Sequence, residues 1–147
     1  MELTRAADYA VRVMIHLAGL PPGARISQAE LAKAVDCPGP FLAKVLQRLA
    51  RVGLVVTRRG NSGGIELPEV HRYASMLKVI EAIEGPIRLN VCLESEHSCP
   101  RQSWCPAHAV WAACQTALTN ILSSATVGDL AQLGAGQPGF PKDPRWN

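Results

Sequence analysis

The sequence predicts a mainly α-helical protein with a small β wing: a winged helix-turn-helix followed by a long C-terminal dimerisation helix. Three observations support this fold class. Apolar residues recur at helical spacing within residues 4–18 and 40–52, β-branched runs flank the tip RRGNSGG, and an apolar stripe follows residues 108–125. The spacing of apolar residues is the main sequence signal for helices and strands.

The first two helices are predicted from their caps. Thr4 is a suitable N-cap for a helix that continues to about Ala18. Ser27 and Glu30 have the spacing of a capping box, in which each side chain satisfies a free backbone N–H at the start of a helix. We therefore expect a second, short helix that stops at the turn DCPGP.

The third helix and the wing follow that turn. The segment PFLAKVLQRLARV has apolar residues at helical spacing and is followed by Gly53, a natural C-cap. The runs LVVT and IEL then predict two short strands on either side of the basic, Gly-rich tip. Helices, tight turn, helix and basic hairpin, in this order, are typical of a winged helix-turn-helix. Such a module lays its recognition helix in the major groove of DNA.

Charge is distributed unevenly along the chain. The net charge is +3, and no acidic residue occurs between Asp36 and Glu66, an interval with five Lys or Arg. A basic stretch is often only a solvated surface, but this one covers the predicted recognition helix and wing. Lysine and arginine there would replace the counterions of nucleic acid. We therefore expect this half of the chain to bind double-stranded DNA.

Ten residues are candidates for DNA contact. Lys44 and Arg48 are expected on the exposed side of the third helix, and Arg58 and Arg59 beside a tip whose glycines allow close backbone approach. For Phe41 and Leu42 the alternative is core packing. The predicted set is Ser27, Gln28, Phe41, Leu42, Lys44, Arg48, Arg58, Arg59, Gly60 and Gly63.

The second half of the chain predicts two more helices. SMLKVIEAIEG reads as a short amphipathic helix with Leu77, Ile80 and Ile83 inward. A longer helix ends near Ser124 and carries an apolar stripe, on which we expect Cys114 to be a buried structural cysteine. The stripe comprises Trp111, Cys114, Leu118, Ile121, Leu122 and Ala125. It either packs on its own chain or, as we expect, forms the seam of a homodimer that reads two half-sites.

These elements divide the chain into three predicted parts. Residues 1–73 form the DNA-binding domain, and residues 74–130 hold the cysteine-rich loop and the dimerisation helices. Residues 131–147, rich in Gly and Pro, are expected to be a disordered tail.

The segment CLESEHSCPRQSWCPAH is the densest group of metal-capable side chains. It has the spacing Cys-x6-Cys-x5-Cys-x2-His, formed by Cys92, Cys99, Cys105 and His108. Structural zinc sites usually have tighter spacing, so wide gaps modestly favour a larger group such as an iron–sulfur cluster. Three cysteines leave one ligand open. His108, His97, Asp8 or an exogenous group are the candidates.

Other classes of protein are disfavoured by the same sequence. Arg5, Asp8, Arg12 and His16 interrupt the apolar N-terminus, so neither a signal peptide nor a membrane span is expected. We therefore expect a cytoplasmic protein with reduced thiols. No nucleophile–base arrangement or phosphate loop is present, which argues against an enzyme or a small-molecule substrate. A regulator that uses its cysteines for zinc or thiol oxidation remains an alternative.

Four segments resemble a known family. LTRAADYAVRVMIHLA, RRGNSGGIEL, LKVIEAIEGPIRLNVC and the three-cysteine loop are similar to iron–sulfur winged-helix repressors, the family that includes IscR and NsrR. The resemblance covers roughly residues 1–130. It implies a dimeric winged helix with crossed long helices, and a cluster loop near the partner's DNA-binding domain. Gain or loss of the cluster would then shift DNA binding.

Two branches of that family are represented. Cys105-Pro-Ala-His108 resembles the IscR pattern, in which the histidine completes a 2Fe–2S site. Asp8-Tyr9 resembles the N-terminus of NsrR, where an aspartate of the other subunit ligates a 4Fe–4S cluster that senses nitric oxide. This chain departs from both in having six residues, not five, between its first two cysteines. The resemblance favours His108 and a 2Fe–2S cluster, with Asp8 and a 4Fe–4S cluster as the alternative.

Overall fold

The winged helix-turn-helix is recognisable in the computed structural model, which describes residues 3–60 and 63–134. Helices α1, α2 and α3 span Arg5–Gly19, Gln28–Ala34 and Gly39–Arg51. Strands β1, β2 and β3 span Arg25–Ile26, Val56–Arg58 and Gly64–Glu66. The predicted fold class is confirmed.

The helix boundaries follow the predicted caps. The Thr4 hydroxyl accepts a hydrogen bond from the N–H of Ala7 at 3.3 Å, so α1 begins where its sequence indicates. The capping box of Ser27 and Glu30 is complete, with both reciprocal hydrogen bonds formed. Helix α3 is followed by Gly53 at a φ of 76°, a left-handed conformation that favours glycine.

The small sheet has one strand more than the sequence predicted. Its order is β1-β3-β2, and both pairs are antiparallel. Residues Arg25 and Val56, on the outer strands, both pair with Glu66 on the central strand. Strand β1 was missed because two residues are too few to show the alternation that identifies a strand.

The second half of the chain is helical. Helix α4 spans Met76–Glu84, α5 spans Pro106–Ser124 and α6 spans Val127–Gly134, with a 3-10 turn at Val91–Leu93. Helix α6 corrects the predicted start of the disordered tail at residue 131, because the helix continues to residue 134. The rest of that predicted tail, residues 135–147, lies outside the described residues.

One hydrophobic core joins the two halves. Helix α1 packs against α3, α4 and α6, and Met14 of α1 is fully buried together with Val127 of α6. In α4, Ile80 and Ile83 are buried as predicted. Leu77 was also predicted to be buried but is only partly so, and Val79 is buried instead. The core therefore continues across the predicted domain boundary at residue 73.

Candidate DNA interface and cysteine loop

An open groove lies between α3 and the wing, which we define as β2, β3 and the residues that connect them. It is bordered by the start of α2, the outward side of α3 and the base of the wing. Its lining includes Ser27, Gln28, Ala43, Gln47, Arg58 and Arg59. Four of these were predicted DNA contacts; Ala43 and Gln47 were not.

The start of α2 is fixed by its own hydrogen bonds. The Ser27 hydroxyl donates to the Glu30 carboxylate at 2.6 Å and accepts from the Glu30 N–H at 3.2 Å. The Ser27 backbone N–H also donates to the Glu30 carboxylate, at 3.0 Å. The two bonds that this carboxylate accepts, the hydroxyl one first, hold the pKa of Glu30 below its ordinary value. The Gln28 amide donates to the carbonyl of Gly39 at 3.2 Å, which ties α2 to the start of α3. Both predicted residues are exposed but partly occupied by contacts within the chain.

The outward side of α3 carries three polar residues, Lys44, Gln47 and Arg48, of which Gln47 lines the groove. Lys44 and Arg48 are both exposed, as predicted. Arg48 also reaches the last turn of α4, where its Nη1 donates to the carbonyl oxygen of Ile83 at 3.1 Å. Gln47 lies three residues after Lys44, a helical spacing that would have identified it from the sequence.

Phe41 and Leu42 differ in accessibility. Leu42 is fully buried, so its prediction as a DNA contact is wrong for the side chain, and the alternative of core packing holds. Phe41 is 36% exposed and makes an edge-on contact with Tyr9, with ring centroids 5.6 Å apart. Helix α3 places adjacent residues about 100° apart, so only one of the pair faces the core.

The wing has glycines at positions 60 and 63 and one carboxylate, Glu66, that pairs with arginine side chains. Gly60 has a φ of 101°, and a Cβ on Gly63 would collide with the backbone carbonyl of Arg58. The Glu66 carboxylate lies 3.0 Å from Nε of Arg25 and 3.8 Å from Nε of Arg58. Arg59 is exposed and has no ion-pair partner among the residues that the structure describes. The wing thus presents basic side chains next to Gly60 and Gly63, two positions that disfavour a larger residue.

The cysteine loop, residues 92–105, connects the core to α5. Cys92 is buried in the 3-10 turn, whereas Cys99 and Cys105 are half-buried, and all three are free thiols. Cys105 is the N-cap of α5, so the last cysteine of the loop begins that helix. Within residues 3–60 and 63–134, no three His, Cys, Asp or Glu side chains are arranged to hold a metal ion.

Two buried polar atoms near the end of this loop lack a hydrogen-bond partner. They are Oε1 of Gln102 and Nδ1 of His108, which lies in the first turn of α5. Buried polar atoms are normally paired, so each needs an explanation, such as a ligand or ion. The donor types, three thiols and an imidazole nitrogen that no protein group engages, fit an iron–sulfur cluster. The other predicted ligand candidate, His97, is exposed.

Asp8 is engaged elsewhere in this chain. Arg12 holds its carboxylate in a two-point pair, with Nε 3.2 Å from Oδ1 and Nη2 2.9 Å from Oδ2. Both side chains are about half exposed, and a pair of this kind contributes about 0–1 kcal/mol. Asp8 is therefore readily released to another partner.

Helix α5 separates the predicted apolar stripe into two sides. Leu118 and Leu122 pack against the core of the same chain. Cys114 is exposed, which contradicts the predicted buried cysteine, because it lies on the side of α5 that faces away from the core. The exposed apolar side, which we call the outer face, comprises Val110, Trp111, Cys114, Ala117 and Ile121. None of the residues of α5 is fully buried in the single chain.

Comparison with known proteins agrees with this architecture. Residues 3–133 match the family model Rrf2, described as an iron-dependent transcriptional regulator. The chain is 31% identical over 137 residues to the HTH-type transcriptional repressor NsrR of Streptomyces coelicolor, covering 92% of each protein.

Two solved structures share the fold. CymR (YrzC), the global cysteine regulator of B. subtilis, superposes with a TM-score of 0.71 at 26% identity, covering 90% of this chain and 97% of CymR. IscR of T. potens gives a TM-score of 0.70 and covers 100% of this chain and 97% of IscR, but at 21% identity it supports the fold alone.

No helix within the described parts of the chain is long and apolar enough to cross a membrane. The family match extends over nearly all of the winged helix-turn-helix, the cysteine loop and α5. The chain is therefore a member of the Rrf2 family, whose members are transcriptional regulators and not enzymes.

Proposed function

We propose that this protein is an iron–sulfur-dependent transcriptional repressor that binds a palindromic DNA operator as a homodimer. The observation that carries the proposal is the junction between the cysteine loop and α5. Cys105 occupies the N-cap position of that helix without a side-chain capping bond, and His108 lies one turn further with a buried, unpartnered ring nitrogen. A change among the ligands of this loop acts directly on the first turn of the helix that we assign to the dimer.

DNA binding is assigned to the groove between α3 and the wing. Arg59 is exposed there, Lys44 is exposed on α3 beside the groove, and both supply charge for phosphate contacts. Gln47 lines the groove and offers a donor and an acceptor for base edges. Arg58 shares Glu66 with Arg25, so its charge is partly compensated within the wing. Leu42 takes no part, for the reason given above.

The dimer is assigned to the outer face of α5. Trp111 and Ile121 are 40% and 48% exposed in the single chain, although both are large and apolar. A second copy related by a two-fold axis would cover both faces at once and place two recognition helices for two half-sites. Cys114 would then be covered by the partner rather than by its own chain.

The cluster is assigned to Cys92, Cys99 and Cys105, with His108 as the fourth ligand of a 2Fe–2S group. When bound, the group supplies a centre that oxidants, nitric oxide or loss of iron alter. The chain holds the thiols on a loop with little regular structure, and its imidazole must be neutral to bind, which makes ligation proton-linked. The alternative uses Asp8 of the partner subunit and a 4Fe–4S group.

A cluster-free regulator is the second candidate. Its thiols would respond by oxidation or zinc binding, and the five free cysteines of the described chain are compatible with this. B. subtilis CymR, a global cysteine regulator, has the same fold. This candidate predicts a protein without visible colour, since zinc and disulfides do not absorb there.

The test is anaerobic reconstitution with iron and sulfide, followed by metal and sulfide counts and Mössbauer spectra. We expect the wild type to bind both, and a variant with Cys92, Cys99 and Cys105 replaced by alanine to bind neither. His108→Ala is expected to alter a 2Fe–2S spectrum, whereas Asp8→Ala is expected to leave it unchanged. The reverse pattern, with a 4Fe–4S spectrum, favours nitric oxide sensing. A colourless wild type that holds zinc or no metal would rule out the cluster.

A further inference from the structure

The side-chain amide of Gln115, near the middle of α5, holds the chain that leads into the cysteine loop. Its Nε2 donates to the carbonyl of Ile87 at 2.8 Å, and its Oε1 accepts from the N–H of Leu89 at 2.9 Å. A side-chain amide offers the same donor and acceptor as a peptide group, so Gln115 acts toward this segment as a neighbouring strand would. The clamp joins the segment to α5 at two points.

The same segment is held at its other end by the recognition helix. Nη1 of Arg48 donates to the carbonyl of Ile83 at 3.1 Å, in the last turn of α4. The last four carbonyls of a helix lack partners within it, and a cation is favourable near them. Arg48 therefore joins α3 to the end of α4 by a charge-assisted hydrogen bond.

Between these two points lies a short connector, residues 83–89. Gly85 turns the chain at a φ of 78°, and Ile83 and Ile87 are buried on either side of it. The connector cannot shift without moving two core side chains. It leads within three residues from Leu89 to the buried Cys92.

We propose that Gln115 and Arg48 are positioning residues that couple the cysteine loop to the recognition helix through this connector. Displacement of the loop moves the connector relative to α5, and Arg48 passes that movement to α3. If Gln115 only stabilises the fold, replacing it lowers the stability of the protein but does not change how the state of the cysteine loop affects α3. This inference rests on the proposed function only in taking the cysteine loop as the sensing segment.

A third contact places the start of α1 on the same connector. The backbone N–H of Thr4 donates to Oε1 of Glu84 at 2.7 Å. The carboxylate thus lies at the N-terminus of α1, where a negative charge is favourable. In this proposal, movement of the connector therefore reaches α1 as well as α3.

The experiment measures amide hydrogen exchange in α3 with the loop thiols free and after their alkylation by iodoacetamide. It uses the full chain carrying Cys114→Ser, so that the exposed thiol on α5 does not react. Alkylation is expected to raise exchange in α3 at least about threefold when Gln115 is present, since native-state exchange reports local opening. In Gln115→Met, alkylation is expected to raise exchange in α3 by less than about twofold. Before alkylation, exchange in α3 should equal that of the Cys114→Ser protein once the difference in stability, measured by urea unfolding, is corrected for.

Matched controls separate coupling from stability. Thr116→Met introduces the same side chain on α5, and the Thr116 hydroxyl bonds only to the helix backbone at Ala112. Alkylation should therefore raise exchange in α3 as much in Thr116→Met as in the Cys114→Ser protein. Arg48→Met should block transmission, whereas Arg51→Met, on the same helix, should not. Equal transmission in Gln115→Met and Thr116→Met, or none in the parent, overturns the inference. The iron and sulfide counts do not enter this measurement, so failure of the cluster assignment is seen separately.

Discussion

The winged helix-turn-helix and the cysteine loop are held together in different ways. In the first, α1 and α2 begin at formed caps, and side chains of α1 and α3 lie in a core that they share with α4. In the second, a fourteen-residue loop has helical structure only in its first two residues. Gln102 in the loop and His108 in the first turn of α5 each keep a buried polar atom without a partner. Among the residues that the structure describes, the DNA-binding half has no buried side-chain polar atom without a hydrogen-bond partner, whereas the loop and the first turn of α5 have two.

This contrast gives a reason for separating DNA binding from the proposed sensing function along the chain. A scaffold that presents a recognition helix gains from rigidity, because DNA contacts need a fixed spacing. A loop that reports on a ligand gains from depending on that ligand, because only differential binding shifts a population. The connector lies between the two and is tied to both by Gln115 and Arg48.

The largest effect is expected at the outer face of α5. Ile121→Glu would place a charge in the apolar seam of the proposed dimer twice, once from each subunit. Uncompensated burial of an ion costs several kcal/mol, so we expect the dimer dissociation constant to rise at least about a hundredfold. Sedimentation equilibrium measures it, with Asn120→Glu on the exposed polar side as the control. A dimer unaffected by Ile121→Glu contradicts the assigned seam.

The next largest effect is expected on stability, and it tests whether Leu42 packs in the core instead of contacting DNA. Leu42→Ala removes a fully buried side chain and is expected to lower the free energy of unfolding by about 2–5 kcal/mol. Lys44→Ala, two residues away and exposed, should change it by no more than about 0.5 kcal/mol. Urea unfolding at pH 7 compares the two. Similar losses in both variants would mean that the inner and outer sides of α3 are wrongly assigned.

A smaller effect is expected for Lys44 in DNA binding. Lys44→Ala removes one phosphate contact, so the slope of log affinity against log salt should fall by about 1. The measurement is a salt titration on an operator selected from randomised duplexes with the wild type. Lys78→Ala, on the exposed side of α4 away from the groove, is the control. An unchanged slope in Lys44→Ala would remove Lys44 from the interface.

The smallest effect concerns the start of α2. Ser27→Ala deletes an N-cap and should lower the free energy of unfolding by roughly 1 kcal/mol at pH 7. The Ser27 hydroxyl also donates to the Glu30 carboxylate and lowers its pKa. The part of the stabilisation that depends on this carboxylate is therefore complete above the pKa of an unfolded glutamate. It is lost as the pH falls through the folded value. Urea unfolding at decreasing pH should show a shrinking difference in stability between the wild type and Ser27→Ala. A difference that stays constant down to strongly acidic pH would contradict a contribution from the Glu30 carboxylate.

Much of the DNA-binding half was predictable because its signals are local. Caps at Thr4 and Ser27, the C-cap at Gly53 and the Gly-rich tip each act within a few residues. What escaped prediction depends on contacts between distant residues. Strand β1 exists only by pairing with β3, and the Arg48 bond to Ile83 joins positions 35 residues apart.

The cysteine loop was predictable in composition but not in geometry. Spacing identified Cys92, Cys99, Cys105 and His108 as candidates, and the orphaned nitrogen of His108 is compatible with that choice. Whether the four groups converge depends on a ligand that spacing cannot encode, since a metal site seldom forms fully without its metal. The same limit applies to Cys114, which is exposed in the single chain and which the proposed dimer would cover.

The central claim is that the state of the cysteine loop sets DNA affinity. The most direct measurement compares the affinity of the reconstituted and bare protein for the selected operator, anaerobically and at one salt concentration. We predict at least about a tenfold difference in the wild type, equal to about 1.4 kcal/mol, and none when Cys92, Cys99 and Cys105 are alanine. Equal affinities of the two wild-type forms, with iron and sulfide present in one, would contradict the account.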